Sequence, residues 1–109
     1  MRKIDKPWGH EIIWAETKDY IGKILSIKAG HRLSKQYHQV KEETVYVIEG
    51  ILYNYEDDDS ITKVYPGESF HVNVGQIHRF GAMENNVCIV EVSTPHLHDV
   101  VRLEDDYDR

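Results

Sequence analysis

Short apolar stretches rich in β-branched and aromatic residues recur along the chain between turn signals, and they leave no room for a helical layer. They fall at residues 11–14, 21–27, 44–48, 51–55, 61–65, 69–74, 77–80 and 87–92. Several alternate with period two, as in Lys23-Ile24-Leu25-Ser26-Ile27-Lys28 and Ser69-Phe70-His71-Val72-Asn73-Val74, the pattern of a strand with one face turned inward. Ala29-Gly30, Glu49-Gly50, Pro66-Gly67 and Val74-Gly75 punctuate them, with the Asp run at 57–59. No window presents an amphipathic helix. Many short strands at close spacing predict an all-β sandwich or barrel.

With 109 residues, 40% hydrophobic and 29% charged, the chain has the size and composition of one globular domain, residues 1–109. No apolar run approaches the ~18–20 residues of a membrane span. No apolar stretch follows the charges of Met1-Arg2-Lys3-Ile4-Asp5-Lys6-Pro7, so neither membrane nor signal peptide is expected. The lone Cys88 has no intramolecular partner, which fits a reducing, cytoplasmic setting. Within Val87-Cys88-Ile89-Val90 it reads as a buried, inert thiol. Of the net charge of −6, residues 56–59 contribute −4 and residues 99–109 contribute −3, leaving +1 elsewhere. These acidic runs read as a solvated loop and tail. A chain without a basic stripe is no partner for nucleic acid, whose binders draw affinity from cations displacing phosphate counterions.

The chemistry gathers around the histidines. Gln36 and His38 are two apart, so on a strand they share a face. Glu43 opens the next strand, whose alternate residues Val45 and Val47 line the same interior, and His78 follows the turn Val74-Gly75-Gln76-Ile77. An amide oxygen, two imidazoles and a carboxylate converging inside a barrel make a site for one divalent transition metal with open positions.

The spacing of these residues resembles the two motifs of the cupin superfamily. Gly30, Gln36, His38, Glu43 and Gly50 follow the first, and Gly67, Asn73, Gly75, His78 and Ala82 the second. Gln36 stands for the first motif's leading His, Asn73 for the second's Pro and Ala82 for its final Asn. A narrower resemblance accounts for Gln36. Lys6-Pro7-Trp8-Gly9, Leu33-Ser34-Lys35-Gln36-Tyr37-His38, Asp99-Val100-Val101-Arg102 and Asp106-Tyr107-Asp108-Arg109 look like ordered signatures of the type II mannose-6-phosphate isomerase family. There a Gln takes the place of that His. The sequence departs at Glu43-Thr44-Val45, where that family has Glu-His-Trp, at Lys41 in place of Arg, and at Asp108 in place of Gly.

The resemblance implies a small antiparallel jelly-roll barrel. Its metal, one of Zn, Mn, Fe, Co or Ni, would be held by Gln36, His38, Glu43 and His78. It also implies an aldose–ketose isomerase acting on a sugar phosphate or nucleotide sugar, with precursors of polysaccharide as the destination. Such a reaction moves a proton between neighbouring carbons through an enediol and needs a Lewis acid, a base and cations for phosphate. For phosphate the sequence offers Lys35, Lys41, Arg79 and Arg102, and the resemblance favours Arg102 and Arg109. As base, either His31 at the barrel rim or His71 beside Val72 can face the cavity. A non-catalytic sugar-binding module and a metal oxygenase are the competing readings. A homodimer is expected, because small barrels expose edge strands and the segment through Trp14 is apolar enough to pair across a two-fold.

Overall fold

The computed structural model describes residues 1–107 and is an antiparallel, all-β barrel without helices. The strands are β1 (Arg2–Lys6), β2 (Gly9–Glu16), β3 (Ile21–Ile27), β4 (Lys35–Tyr37), β5 (Glu43–Glu49), β6 (Leu52–Tyr55), β7 (Ile61–Val64), β8 (Ser69–Val72), β9 (Phe80–Gly81), β10 (Val87–Ser93) and β11 (Val101–Glu104). A six-stranded sheet runs β1-β2-β3-β10-β5-β8. Facing it are a three-stranded sheet, β7-β6-β9, and a two-stranded one, β11-β4. Among the described residues there is no helix long and apolar enough to cross a membrane.

Alternation fixes which side chains enter the barrel. On β3, Ile21, Lys23, Leu25 and Ile27 are buried, and on β10 Val87, Ile89, Glu91 and Ser93 are. Leu25, Ile27, Val45, Val47, Val87 and Ile89 from the large sheet pack on Leu52, Val64 and Phe80 from the small one. This apolar half of the interior carries the stability, at roughly 1.5–3 kcal/mol for each buried side chain of this size. The same inward phase also carries charge, at Glu11, Lys23, Glu43 and Glu91, and that half forms the site.

The structure corrects three sequence expectations. Cys88 is half-buried rather than buried, because it has the outward phase between Val87 and Ile89 on β10; partial burial and then Glu49 push its thiol pKa up. The acidic tail is docked rather than solvated: β11 pairs with β4, and Asp106 bonds Arg32 and Arg79. The N-terminal segment already pairs within the chain, Arg2 to Ile13 through Lys6 to Gly9.

Candidate metal centre and its cavity

Gln36 lies on β4, His38 just beyond it, Glu43 at the start of β5, and His78 two residues before β9. Gln36 and His78 exchange both backbone hydrogen bonds, at 3.0 and 2.9 Å, and Gly75 N–H donates to the His38 carbonyl at 2.8 Å. Gly75 has φ +80°, a left-handed conformation that glycine adopts without a Cβ penalty. These bonds bring distant segments of the chain to one point.

His38, Glu43 and His78 are 2, 3 and 1% exposed, and one ligating atom of each lies within 4.8 Å of the others. His38 Nε2 is 3.0 Å and His78 Nε2 3.3 Å from Glu43 Oε1. The opposite ring nitrogens face carbonyl oxygens, His38 Nδ1 that of Asp99 and His78 Nδ1 that of Gln76. A carbonyl only accepts, so each Nδ1 carries a proton, and the Nε2 that faces the carboxylate is the nitrogen left to bind a metal. Glu43 Oε2 and His78 Nε2 have no hydrogen-bond partner. Buried acceptors converging without a donor are costly, and a divalent cation at their focus satisfies them together. Two imidazoles and a carboxylate suit the first-row divalent metals and zinc. Gln36 lines the same cavity; its Oε1 accepts from Ser34 Oγ at 2.8 Å and keeps a second lone pair.

The cavity measures about 100 Å³, and its wall carries a chain of opposite charges leading to the centre. Lys6 and Lys23 lie 3.9 and 3.6 Å from the Glu11 carboxylate. Lys23 stands opposite Glu91 in the β3–β10 register. Lys41 Nζ is 3.2 Å from Glu91 and 3.9 Å from Glu43. Burial, then the neighbouring Glu43, pushes the Glu91 carboxyl up to about 8. Burial alone would raise Glu43 too, but its neighbours Glu91, His38, His78 and Lys41 hold it well below the usual carboxylate range. Burial works against the Lys41 ammonium, yet Glu91 and Glu43 outweigh it and raise its pKa.

Of the residues singled out from sequence, Gln36, His38, Glu43, His78, Lys41 and Arg102 line this cavity. The others do not. His31 hydrogen-bonds the Tyr107 hydroxyl at 2.9 Å and faces a separate surface groove. His71 is outward on β8 because Val72 takes the inward phase, and it bonds Thr44 and Glu42 at the surface. Lys35 donates to the Asp57 carbonyl and pairs with Asp57 and Asp59, so the acidic turn neutralises it. Arg79 is buried beneath the tail, donating to the Leu33 carbonyl and to Asp106. Arg109 lies outside the described residues.

Glu11, Lys23 and Glu91 were missed, although a signal for them was present. Each interrupts the apolar phase of its strand: Glu11 precedes Ile13, Lys23 lies between Ile21 and Leu25, and Glu91 follows Ile89. A charge at an inward position of a strand is costly unless it is paired or used.

Comparison with solved structures finds the same barrel at low identity. KdgF from Halomonas sp. matches at 18% identity and TM-score 0.78, covering 88% of this chain and 89% of its own. The polyketide cyclase RemF from Streptomyces resistomycificus matches at 16% and 0.79, covering 91% and 73%. A cupin-superfamily sugar phosphate isomerase from Silicibacter pomeroyi DSS-3 matches at 18% and 0.70, covering 78% and 58%. No curated protein sequence matches the chain. The family described as "Mannose-6-phosphate isomerase C-terminal" matches residues 1–105, nearly the whole chain. The chain therefore belongs to the mannose-6-phosphate isomerase C-terminal family of cupin barrels.

Proposed function

We propose that this domain is a metal-dependent sugar-phosphate isomerase, interconverting an aldose and a ketose phosphate in the cytoplasm to supply nucleotide-sugar or polysaccharide synthesis. The observation that carries the reading is the set of converging acceptors on His38, Glu43 and His78, two of them unpartnered, beside a wall of lysines. A divalent metal held there, with Gln36 as a fourth ligand, supplies Lewis-acid polarisation of a carbonyl oxygen. Lys6, Lys23, Lys41 and Arg102 face the cavity against Glu11, Glu43, Glu91 and Asp99, so a dication leaves the site positive and selects an anionic substrate. Lys41 and Arg102 stand to hold the phosphate. With His31 and His71 outside the cavity, Glu11 and Glu91 are the carboxylates left to move the proton between carbons. Residues Asp99, Val100 and Arg102 border the cavity and shield it from water.

Exchange of the substrate C2 proton with solvent tests the reading, across hexose and pentose phosphates with Mn, Zn, Co and Fe. Metal-dependent exchange that His78→Ala abolishes is expected, and no exchange across the panel refutes isomerisation. One observation favours a second reading, a sugar-binding module without turnover. The sequence has Thr44-Val45 after the candidate ligand Glu43, where the resembled family has His-Trp. Tight sugar binding by calorimetry with no exchange would support that module.

A further inference from the structure

We infer that Lys6, Glu11 and Lys23 form a seat for two adjacent hydroxyls of a polyol chain, set apart from the metal centre on the wall of the same cavity. The inference rests on the reading that a sugar phosphate enters that cavity. All three residues line it, and the Lys23 and Glu11 side chains are only 9 and 10% exposed.

The pairing of these charges is loose. Lys6 Nζ lies 3.9 Å from Glu11 Oε1 and Lys23 Nζ 3.6 Å from Glu11 Oε2, one ammonium to each carboxylate oxygen and both beyond hydrogen-bond reach. Among the described residues, none of the three side chains makes a hydrogen bond. The sealed polar atoms without a partner lie elsewhere, on Glu43 and His78. The ammonium protons and carboxylate lone pairs of the seat therefore open onto the cavity. Further along the wall that capacity is taken up. Lys41 donates to Glu91 at 3.2 Å, and Asp99 accepts three backbone N–H bonds.

A hydroxyl both donates and accepts, which neither ion does alone. Placed between Glu11 and a lysine, it donates to the carboxylate and accepts from the ammonium. An oxygen ~2.7 Å from the carboxylate and ~2.8 Å from the ammonium bridges gaps of this width at an angle of about 80–90°. A pair in direct contact would already have used those bonds on itself. The two gaps share one carboxylate, so the hydroxyls that fill them are neighbours on one carbon chain.

The alternation of charge excludes other occupants. A phosphate or carboxylate would meet Glu11 at close range, and like charges there repel. An alkyl chain would strip water from all three ions and replace none of its bonds. Phosphate therefore stays with Lys41 and Arg102. In the large sheet β10 separates β3 from β5, so the strand of Lys23 lies two spacings, about 9.5 Å, from that of Glu43. With the carbonyl at the metal centre, the seat meets hydroxyls further along the chain, away from the reacting carbons. Glu11 is then a specificity residue, and Glu91 is the carboxylate left to move the proton.

The test is isothermal titration calorimetry of the whole chain with zinc, against glucitol 6-phosphate and hexyl phosphate, which share chain length and anion and differ in their hydroxyls. The wild type is expected to prefer glucitol 6-phosphate at least about 100-fold, because a site built to bond hydroxyls rejects the analogue that lacks them. Lys23→Met is expected to cut that preference at least about tenfold and to leave the affinity for hexyl phosphate unchanged. The control Lys63→Met, on the small sheet, keeps the preference. Lys6→Met, at the more exposed end of the seat, replaces Lys23→Met if circular dichroism finds that variant unfolded. Equal affinity for the two phosphates in the wild type overturns the proposal, and so does a preference that both seat variants retain in full. Exchange of the C2 proton separates the two readings. A lysine-dependent preference without exchange supports the seat and refutes isomerisation, whereas exchange with a preference untouched by the variants refutes the seat alone.

Discussion

Replacing Asp99 by alanine should loosen the metal centre without touching a ligand. The Asp99 carboxylate accepts backbone N–H bonds from Gln39, Val40 and Lys41 at 3.0, 2.8 and 2.8 Å, and its own carbonyl faces His38 Nδ1. Those donors form the turn between His38 and Glu43, so one residue sets both the ligand spacing and the imidazole orientation. These bonds hold its carboxyl at about 2. Gln39 and Val40 are exposed and water can replace their partner, at about 0.5–1 kcal/mol each. The N–H of Lys41, a buried residue, is harder to re-satisfy and costs about 1–3 kcal/mol. Asp99→Ala is therefore expected to lose about 2–5 kcal/mol of stability. It should also lose about tenfold in zinc affinity, the low end for an outer-shell change, because the turn that spaces His38 and Glu43 loses its acceptor while the backbone carbonyl facing His38 Nδ1 stays. Asp99→Asn keeps one acceptor oxygen and should fall between. Thermal melts and competitive zinc titration read both effects. Loss of stability with unchanged zinc affinity would refute the positioning role, and unchanged values for both would refute the whole argument.

Gln36→Ala should weaken zinc binding about tenfold, while His38→Ala and His78→Ala weaken it at least about 1,000-fold; affinity equal to wild type in Gln36→Ala would reduce Gln36 to the hydrogen bond with Ser34. Gly22→Ala should lift the Trp14 ring, because its Cβ would stand 2.5 Å from it. The cost is about 1 kcal/mol for a half-exposed ring, with a red-shifted tryptophan emission, and an unshifted spectrum would contradict the packing. The Arg32 hydrogen bond, then the Arg79 charge, holds the Asp106 carboxyl below its ordinary value. Its share of tail docking is thus complete above the free value of about 3.9 and fades as pH falls through the lower folded value. The Tyr107–His31 contact, followed by proton resonances, should release in acid, and the release should vanish in Asp106→Asn; an acid step unchanged in that variant would refute the assignment.

The central strands of the large sheet were legible because β-branched residues at period two leave little alternative. β3, β5 and β10 match their sequence stretches to within a residue. β1, β4 and β11 were not read as strands. Arg2–Lys6 alternates charge with single apolar residues, Lys35–Tyr37 is short, and Val101–Glu104 is an exposed edge. Each exists because a neighbour pairs with it, which local pattern does not report. The candidate ligands were legible for a different reason, since motif spacing encodes where a barrel returns to the same point. The proposed proton-moving group was not, because a histidine's fitness for that role says nothing of its strand phase. His71 has the right chemistry on the wrong face, and Glu91 the right face in a run that reads as core.

The two unusual faces of the large sheet belong to one arrangement. Charges buried in a cavity are tolerable when each has a partner at short range and little water competes. The chain Lys6, Glu11, Lys23, Glu91, Lys41 and Glu43 meets the first condition through contacts and register alone. The second depends on what lies behind the strands that carry it. On β10, Glu91 stands between Val90 and Val92, and on β3 Lys23 stands between Gly22 and Ile24, so the backbone of the charged row is also the backbone of the apolar outer rows. Covering those outer rows strengthens the electrostatics within by removing water from the far side of a single layer of sheet. The apolar outer rows and the charged wall are then read from the same strands, with the odd phase facing the cavity and the even phase facing outward.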